Sequence, residues 1–316
     1  MIDVLIAIGD VLTSEAAYIN ALTFAVFLAF GATGEWVAER SGTLNISLEA
    51  MFLGGAFAAA IGLDRTGNEV AAVLFGVGAS VLVAAVQANM SHRLAANQFL
   101  VGLTLNILVL GLTSFLASVL KPVTRKVDAQ RIPILADIPL IGNAMFNRTW
   151  MFYLIYAVVP VCWWVVFRTR WGLELRATGE NPQSADVSGI DVNKRRRQGI
   201  YVTGITAGMG GAYLALGAVG QFEDSIVGGR GFIALIAVIF GGWTLRGTLA
   251  GCLLFGAVLS FRLSLPALGY QLNGDLLSSL PYSVASHASP ALAEEVRRHA
   301  DSHRVDVWHC EWTPYA

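Results

Sequence analysis

Charge is scarce in this sequence. Its 316 residues include 21 Lys and Arg and 22 Asp and Glu, 14% in all, against 55% hydrophobic residues. A soluble domain carries about 25% charge, so most of this surface cannot face water. The net charge of -1 lacks the polyelectrolyte character of a nucleic-acid binder. Cysteine is also rare. Cys162, Cys252 and Cys310 are scattered, two of them inside apolar runs, which argues against a disulfide framework or a CxxC site. Lysine occurs only as Lys121, Lys126 and Lys194, and none follows Gly or precedes Ser or Thr. A phosphate-cradling loop needs that pattern, so any ATP used must be hydrolysed on another chain, and no cofactor is expected. MIDVLIAIGDVLTSEAAY holds Asp3, Asp10 and Glu15 but no basic residue, unlike the n-region of a cleavable signal peptide.

Apolar runs fill the sequence instead. A spanning helix needs about 20 apolar residues, and uncharged runs cover Ala16–Gly34, Ala50–Leu63, Val70–Ser91, Leu94–Leu120, Thr149–Phe167 and Gly199–Phe222. Two shorter ones, Gly231–Leu245 and Gly247–Phe261, are split by Arg246; they read as a re-entrant half-helix plus a span, or as two short spans. The expected fold is an all-α polytopic membrane bundle of about eight spans, with re-entrant or broken helices among them. Ala50–Leu63 spans only if it begins near Thr43, which takes Asn45 and Glu49 into the membrane.

Between two apolar runs lies the polar block Arg168–Gln198, with eleven charges, seven of them basic. Positive charge is retained in cytoplasmic loops, so this loop is expected inside, the N-terminus outside and the acidic turn Glu223–Asp224 outside. Loop 121–148 disagrees, being basic yet expected outside; Pro122, Pro133 and Pro139 mark it as a folded segment. Gly204, Gly208 and Ala212, and again Ala207 and Gly211, recur every four residues. Such small-residue stripes let helices approach closely in lipid.

Carboxylates inside spans are expensive and point to function. Asn45 and Glu49, four apart, share a helical face; Glu49 is either a pathway residue or a partner for broken backbone. Asn106 in the fourth run is an interhelical hydrogen-bonder or a pathway residue. Residues 287–316 hold four of the five histidines and eight charges, a composition typical of soluble protein. His299 and His303 lie four apart, but Ala300 stands where a zinc-protease motif HExxH requires Glu, and no metal site is expected. The domains are therefore a membrane domain, 1–286, and an atypical tail, 287–316.

Three segments together resemble one family. They are GEWVAERSGTLNISLEAMFLGGAFAA (Gly34–Ala59), ELRATGENPQSADVSGIDVNKRRRQGIYVTGITAGMGGAYLALG (Glu174–Gly217) and GRGFIALIAVIFGGWTLRGTLAGCLLFGAV (Gly229–Val258). They are similar, over about residues 16–282, to permease subunits of the branched-chain amino acid, sugar and nucleoside ABC importers, and NISLEA and GENP resemble the nucleoside branch. The resemblance implies a subunit without catalytic activity in the cell (inner) membrane. Its implied partners are an ABC ATPase, a second related permease, a substrate-binding lipoprotein and membrane lipid. The family's coupling segment falls on Ala177–Ile190, so Ala177, Gly179, Asn181, Pro182, Ala185, Gly189 and Ile190 are its expected coupling residues. Asn181 can cap a short helix and Pro182 suits its first position; Ala185 and Gly189 give it a small docking face, and Lys194–Arg197 a basic exit to the inner leaflet. The pattern departs after Tyr282, and the tail resembles an internal piece of a nucleotide-sugar glycosyltransferase, as if foreign to the family. A simple-sugar or branched-chain amino acid permease, a secondary transporter and a membrane glycosyltransferase are the competing readings.

Overall fold

The computed structural model describes residues 11, 13–123, 125–133, 136, 138 and 142–267. The segments 276–286 and 287–316, including the histidine pair, lie outside the described residues. Met1–Ser264 form one compact unit.

Helix α1 spans Glu15–Glu39, α2 Leu48–Thr66, α3 Glu69–His92 and α4 Gln98–Leu120. Asn68 and Asn97 start α3 and α4 by accepting backbone N–H bonds with their side chains, the usual remedy for the unpaired donors of a helix start. In the described part of the proline-bearing loop Gln130–Arg131 (β1) pairs antiparallel with Asn147–Arg148 (β2), next to a short helix α5, Gly142–Phe146. Helix α6 covers Trp150–Arg168, α7 Arg170–Glu180, α8 Pro182–Val187 and α9 Val192–Ala212, the last running on as a π-helical turn, Tyr213–Val219. Two more helices follow, α10 (Arg230–Phe240) and α11 (Leu245–Ala267).

Among the described residues six helices are long and apolar enough to cross a membrane: α1, α3, α4, α6, α9 with its π turn, and α11. About eight spans were expected; among the described residues these six meet the length and hydropathy of a span, joined by two elements of another kind. Helix α2 carries Glu49, Asp64 and Arg65. Helix α10 has 11 residues, about 16 Å at 1.5 Å per residue, half of a hydrocarbon core about 30 Å thick.

Helix α9 is the centre of the bundle, packed against α1, α2 and α3. The small-residue stripes are what permit this. A Cβ on Gly204 would meet Ala84, and one on Gly208 would meet Val77, both on α3. On the second stripe a Cβ on Gly211 would stand 2.4 Å from the carbonyl oxygen of Phe52 on α2. Where lipid replaces water, close packing of this kind holds helices together. Gly211→Ala is therefore expected to cost about 1–3 kcal/mol through overpacking and to lower the thermal midpoint of the purified protein. Gly78→Ala, where a Cβ meets nothing within 4 Å, is expected to leave the midpoint unchanged or slightly raised.

Candidate functional site

Two helix starts meet inside the bundle. The chain leaves α1 at Glu39, turns, and runs non-helically through Thr43–Ile46 before α2 begins at Leu48. Asn106 pins this segment from α4: its Nδ2 donates to the Ile46 carbonyl at 2.9 Å and its Oδ1 accepts from the Ala50 N–H at 3.0 Å. Asn106 lies about 12 Å along α4 from Gln98, well inside a helix of 23 residues. Backbone left unpaired in a bilayer must find partners within the protein, and Asn106 supplies two of them.

Glu49, in the first turn of α2, reaches the start of α10. Its Oε1 accepts from the Gly229 N–H and its Oε2 from the Gly231 N–H, each at 2.7 Å. These are orphan donors of a helix N-terminus, where the macrodipole also favours negative charge. The approach needs glycine: a Cβ on Gly231 would lie 2.6 Å from the Glu49 Cα, and Gly229 has φ +80°. From this start α10 returns to the side that carries the basic loop. There the Trp243 indole donates to Glu39 and the Trp36 indole donates to the Trp243 carbonyl. Residues 220–229 thus re-enter the bundle from the other side, and the pair of apolar runs split by Arg246 is a half-helix followed by a span.

Glu49 and Asn106 line one cavity of about 440 Å³ with Asp224, Ser225 and Phe232. Asn45 does not. Its expected place on a helical face beside Glu49 is corrected because the helix starts only at Leu48. The Asn45 Oδ1 accepts from the backbone and hydroxyl of Ser47 at 3.2 and 2.7 Å, and its own N–H donates to Glu35 Oε1 at 2.8 Å. Glu35 is the residue that sequence reasoning missed. It stands one position past the uncharged run ending at Gly34, yet α1 continues and buries it fully, with Oε2 unpartnered among the described residues. The signal was there in GEWVAE, which has no helix breaker after Gly34 and keeps Trp36, Val37 and Ala38 in the core.

The basic loop is a helical hairpin. Asn181 Oδ1 accepts the Ser184 N–H at 3.0 Å, and Pro182 is the first residue of α8. Gly189 ends the turn at φ +82°, and the Ile190 N–H donates to the Ala185 carbonyl. Gly179 faces inward, where a Cβ would strike the Arg40 carbonyl at 2.2 Å, while Ala177 accepts the Asn181 N–H. Ala185, expected on an outward docking face, is 4% exposed and packs inward; Val187 is 90% exposed. On a six-residue helix the buried and exposed sides are set by where the hairpin rests, which no local pattern reveals. The basic run is corrected as well. Arg195 binds Glu174, and Arg196 Nε donates to the Ser41 carbonyl, so two of its charges tie the hairpin to the bundle.

The family model described as branched-chain amino acid transport system / permease component matches residues 17–281. The chain is 33% identical to the nucleoside ABC transporter permease protein NupC of Lactococcus lactis subsp. cremoris, over 83% of this chain and 85% of that one. It is 34% identical to the guanosine ABC transporter permease protein NupQ of Bacillus subtilis, over 74% and 78% respectively. A third relative, from Haloferax volcanii, bears the provisional name glucose ABC transporter permease protein TsgC13 and is 34% identical over 79% and 77%. A broken-helix bundle with a hairpin on one side and a match over most of its length place this chain in the branched-chain amino acid transport system / permease component family, as a multi-pass membrane permease subunit of an ABC transporter whose ATP is hydrolysed by a separate subunit.

Proposed function

We propose that the chain is the permease of an ATP-driven nucleoside importer, and that its solute passes the junction of α2 and α10. The observation that carries this reading is the cavity at Glu49, where two helices begin inside a bundle of continuous ones. Broken helices at the bilayer midplane place backbone and side-chain polar groups beside a solute. The lining suits a neutral nucleoside: Phe232 offers a ring for the base, while Asp224, Ser225 and Asn106 offer partners for ribose hydroxyls. The two nucleoside permeases among the relatives support the same class. In this reading Asn45, Glu49 and Asn106 hold the pathway's shape, and only the last two touch its wall.

The hairpin from Ala177 to Ile190 docks on the ATPase in the cytoplasm, with Val187 as its apolar contact and Gly179, Asn181, Pro182, Ala185 and Gly189 setting its form. The remaining partners are a second, related permease and a substrate-binding lipoprotein, and the complex resides in the cell (inner) membrane. Residues 287–316 are additional to the permease domain, so removing Ser289–Ala316 is expected to leave membrane insertion unchanged. A loss of inserted protein on fractionation would make the tail part of the fold.

Uptake of radiolabelled guanosine and of glucose, by cells expressing the complete transporter, tests the substrate. Guanosine uptake that unlabelled nucleosides inhibit and glucose does not supports the proposal. The glucose permease relative favours the second reading, a simple-sugar permease, and glucose uptake without guanosine uptake would establish it.

A further inference from the structure

We propose that a groove between α6 and α11 binds one anionic phospholipid of the inner leaflet; this rests on the membrane orientation proposed above and on no assumption about the solute. Two cavities of about 610 and 300 Å³ share Val159, Pro160 and Leu249 as walls and so form one groove. The larger holds Arg40 and Arg246, with Trp163 and Phe167 beside them, and no carboxylate lines it. The smaller continues over mostly apolar surface, including Phe152 and Leu253. Along α6 the groove runs from Phe167 to Phe152, about 22 Å at 1.5 Å per residue. That is long enough for an acyl chain to cross one leaflet of a core about 30 Å thick.

The charged end is poised for an acceptor. The Arg40 Nε is buried without a hydrogen-bond partner, as is the Arg176 Nε. Both guanidiniums lie over the Phe167 ring, at 5.9 and 5.0 Å from its centroid. Among the described residues no ion pair engages Arg40, Arg176 or Arg246. The nearby Glu39 accepts the Trp243 indole on Oε2, while its Oε1 is buried without a partner among the described residues, and it does not line the groove. Trp163, in the groove wall, and Trp243, beside Glu39, are half-exposed, as aromatic side chains are at the headgroup level. A phosphate between Arg40 and Arg246 with its acyl chain over Pro160 and Leu249 satisfies both halves of the groove. Basic pockets between helices on the cytoplasmic side take anionic headgroups in this way.

Native mass spectrometry of the complete transporter in mild detergent, titrated with phosphatidylglycerol or phosphatidylcholine, provides the test. Phosphatidylglycerol is expected to remain as a resolved adduct and phosphatidylcholine to wash off. Arg40→Gln together with Arg246→Gln is expected to weaken phosphatidylglycerol about tenfold or more. Leu249→Trp fills the apolar slot with both arginines intact and is expected to lower retention too. Arg93→Gln, an exposed arginine outside the groove on the same side of the bundle, is expected to change nothing. Equal retention of the two lipids, or unchanged binding in both groove variants, overturns the proposal. So does a Trp163→Cys protein that cross-links to another subunit, since the groove would then be a protein interface. The readout is lipid retention, so a wrong assignment of the solute leaves it unaffected.

Discussion

Glu49→Gln is expected to remove most of the uptake while the subunit still inserts and assembles. The carboxylate accepts two backbone N–H bonds at the start of α10. A carboxamide can accept only one, and turns an N–H₂ toward the other donor. Losing a charge-assisted bond to a buried group costs about 1.5–3 kcal/mol, roughly a tenfold to hundredfold shift in how often the half-helix is seated. Helix α2 needs nothing from this carboxylate, and α9 packs independently of it, so the bundle is expected to survive. Uptake per assembled complex, together with protease access to residues 220–229, reads the effect. Increased cleavage with reduced uptake is the expected pair. Unchanged uptake would show that seating α10 is irrelevant to transport, and would remove Glu49 from the pathway.

Val187→Arg is expected to detach the ATPase without disturbing the permease. The side chain is almost wholly exposed, so nothing in the bundle depends on it. An apolar contact at the centre of a docking face is worth 1–2 kcal/mol or more, about tenfold in association or above. Ala185→Trp is expected to act differently. Ala185 is the buried side of α8, and a large side chain there would displace the hairpin and lower the thermal midpoint of the permease itself. Co-purification of the ATPase and melting of the permease alone separate the two. Full ATPase retention by the Val187→Arg protein would leave the hairpin as a spacer between spans and end the docking assignment.

Much of the architecture was legible in one dimension because its causes are local. Scarce charge between long apolar runs defines a membrane bundle, and the polar block at Arg168–Gln198 stands out because lipid admits nothing like it. The cap at Asn181 and the stop at Gly189 follow from side chain and φ alone. The small-residue stripes of α9 could be read as packing surfaces, since a repeat every four residues falls on one face whatever it meets. The tertiary structure decided what these features do. Asn45, Glu49 and Asn106 all looked like polar groups inside spans. Only the meeting of α2, α4 and α10 makes Asn106 a clamp, Glu49 a cap and Asn45 a turn. Glu35 looked like the first residue outside a span and is buried, because a helix continues for as long as its neighbours cover it. Ala185 was expected to face outward and is buried for the same reason: which side of a short helix faces inward is set by what it packs on, here α7 and α9, while α7 itself rests at Gly179 on residues about 140 positions away, at Arg40–Gly42.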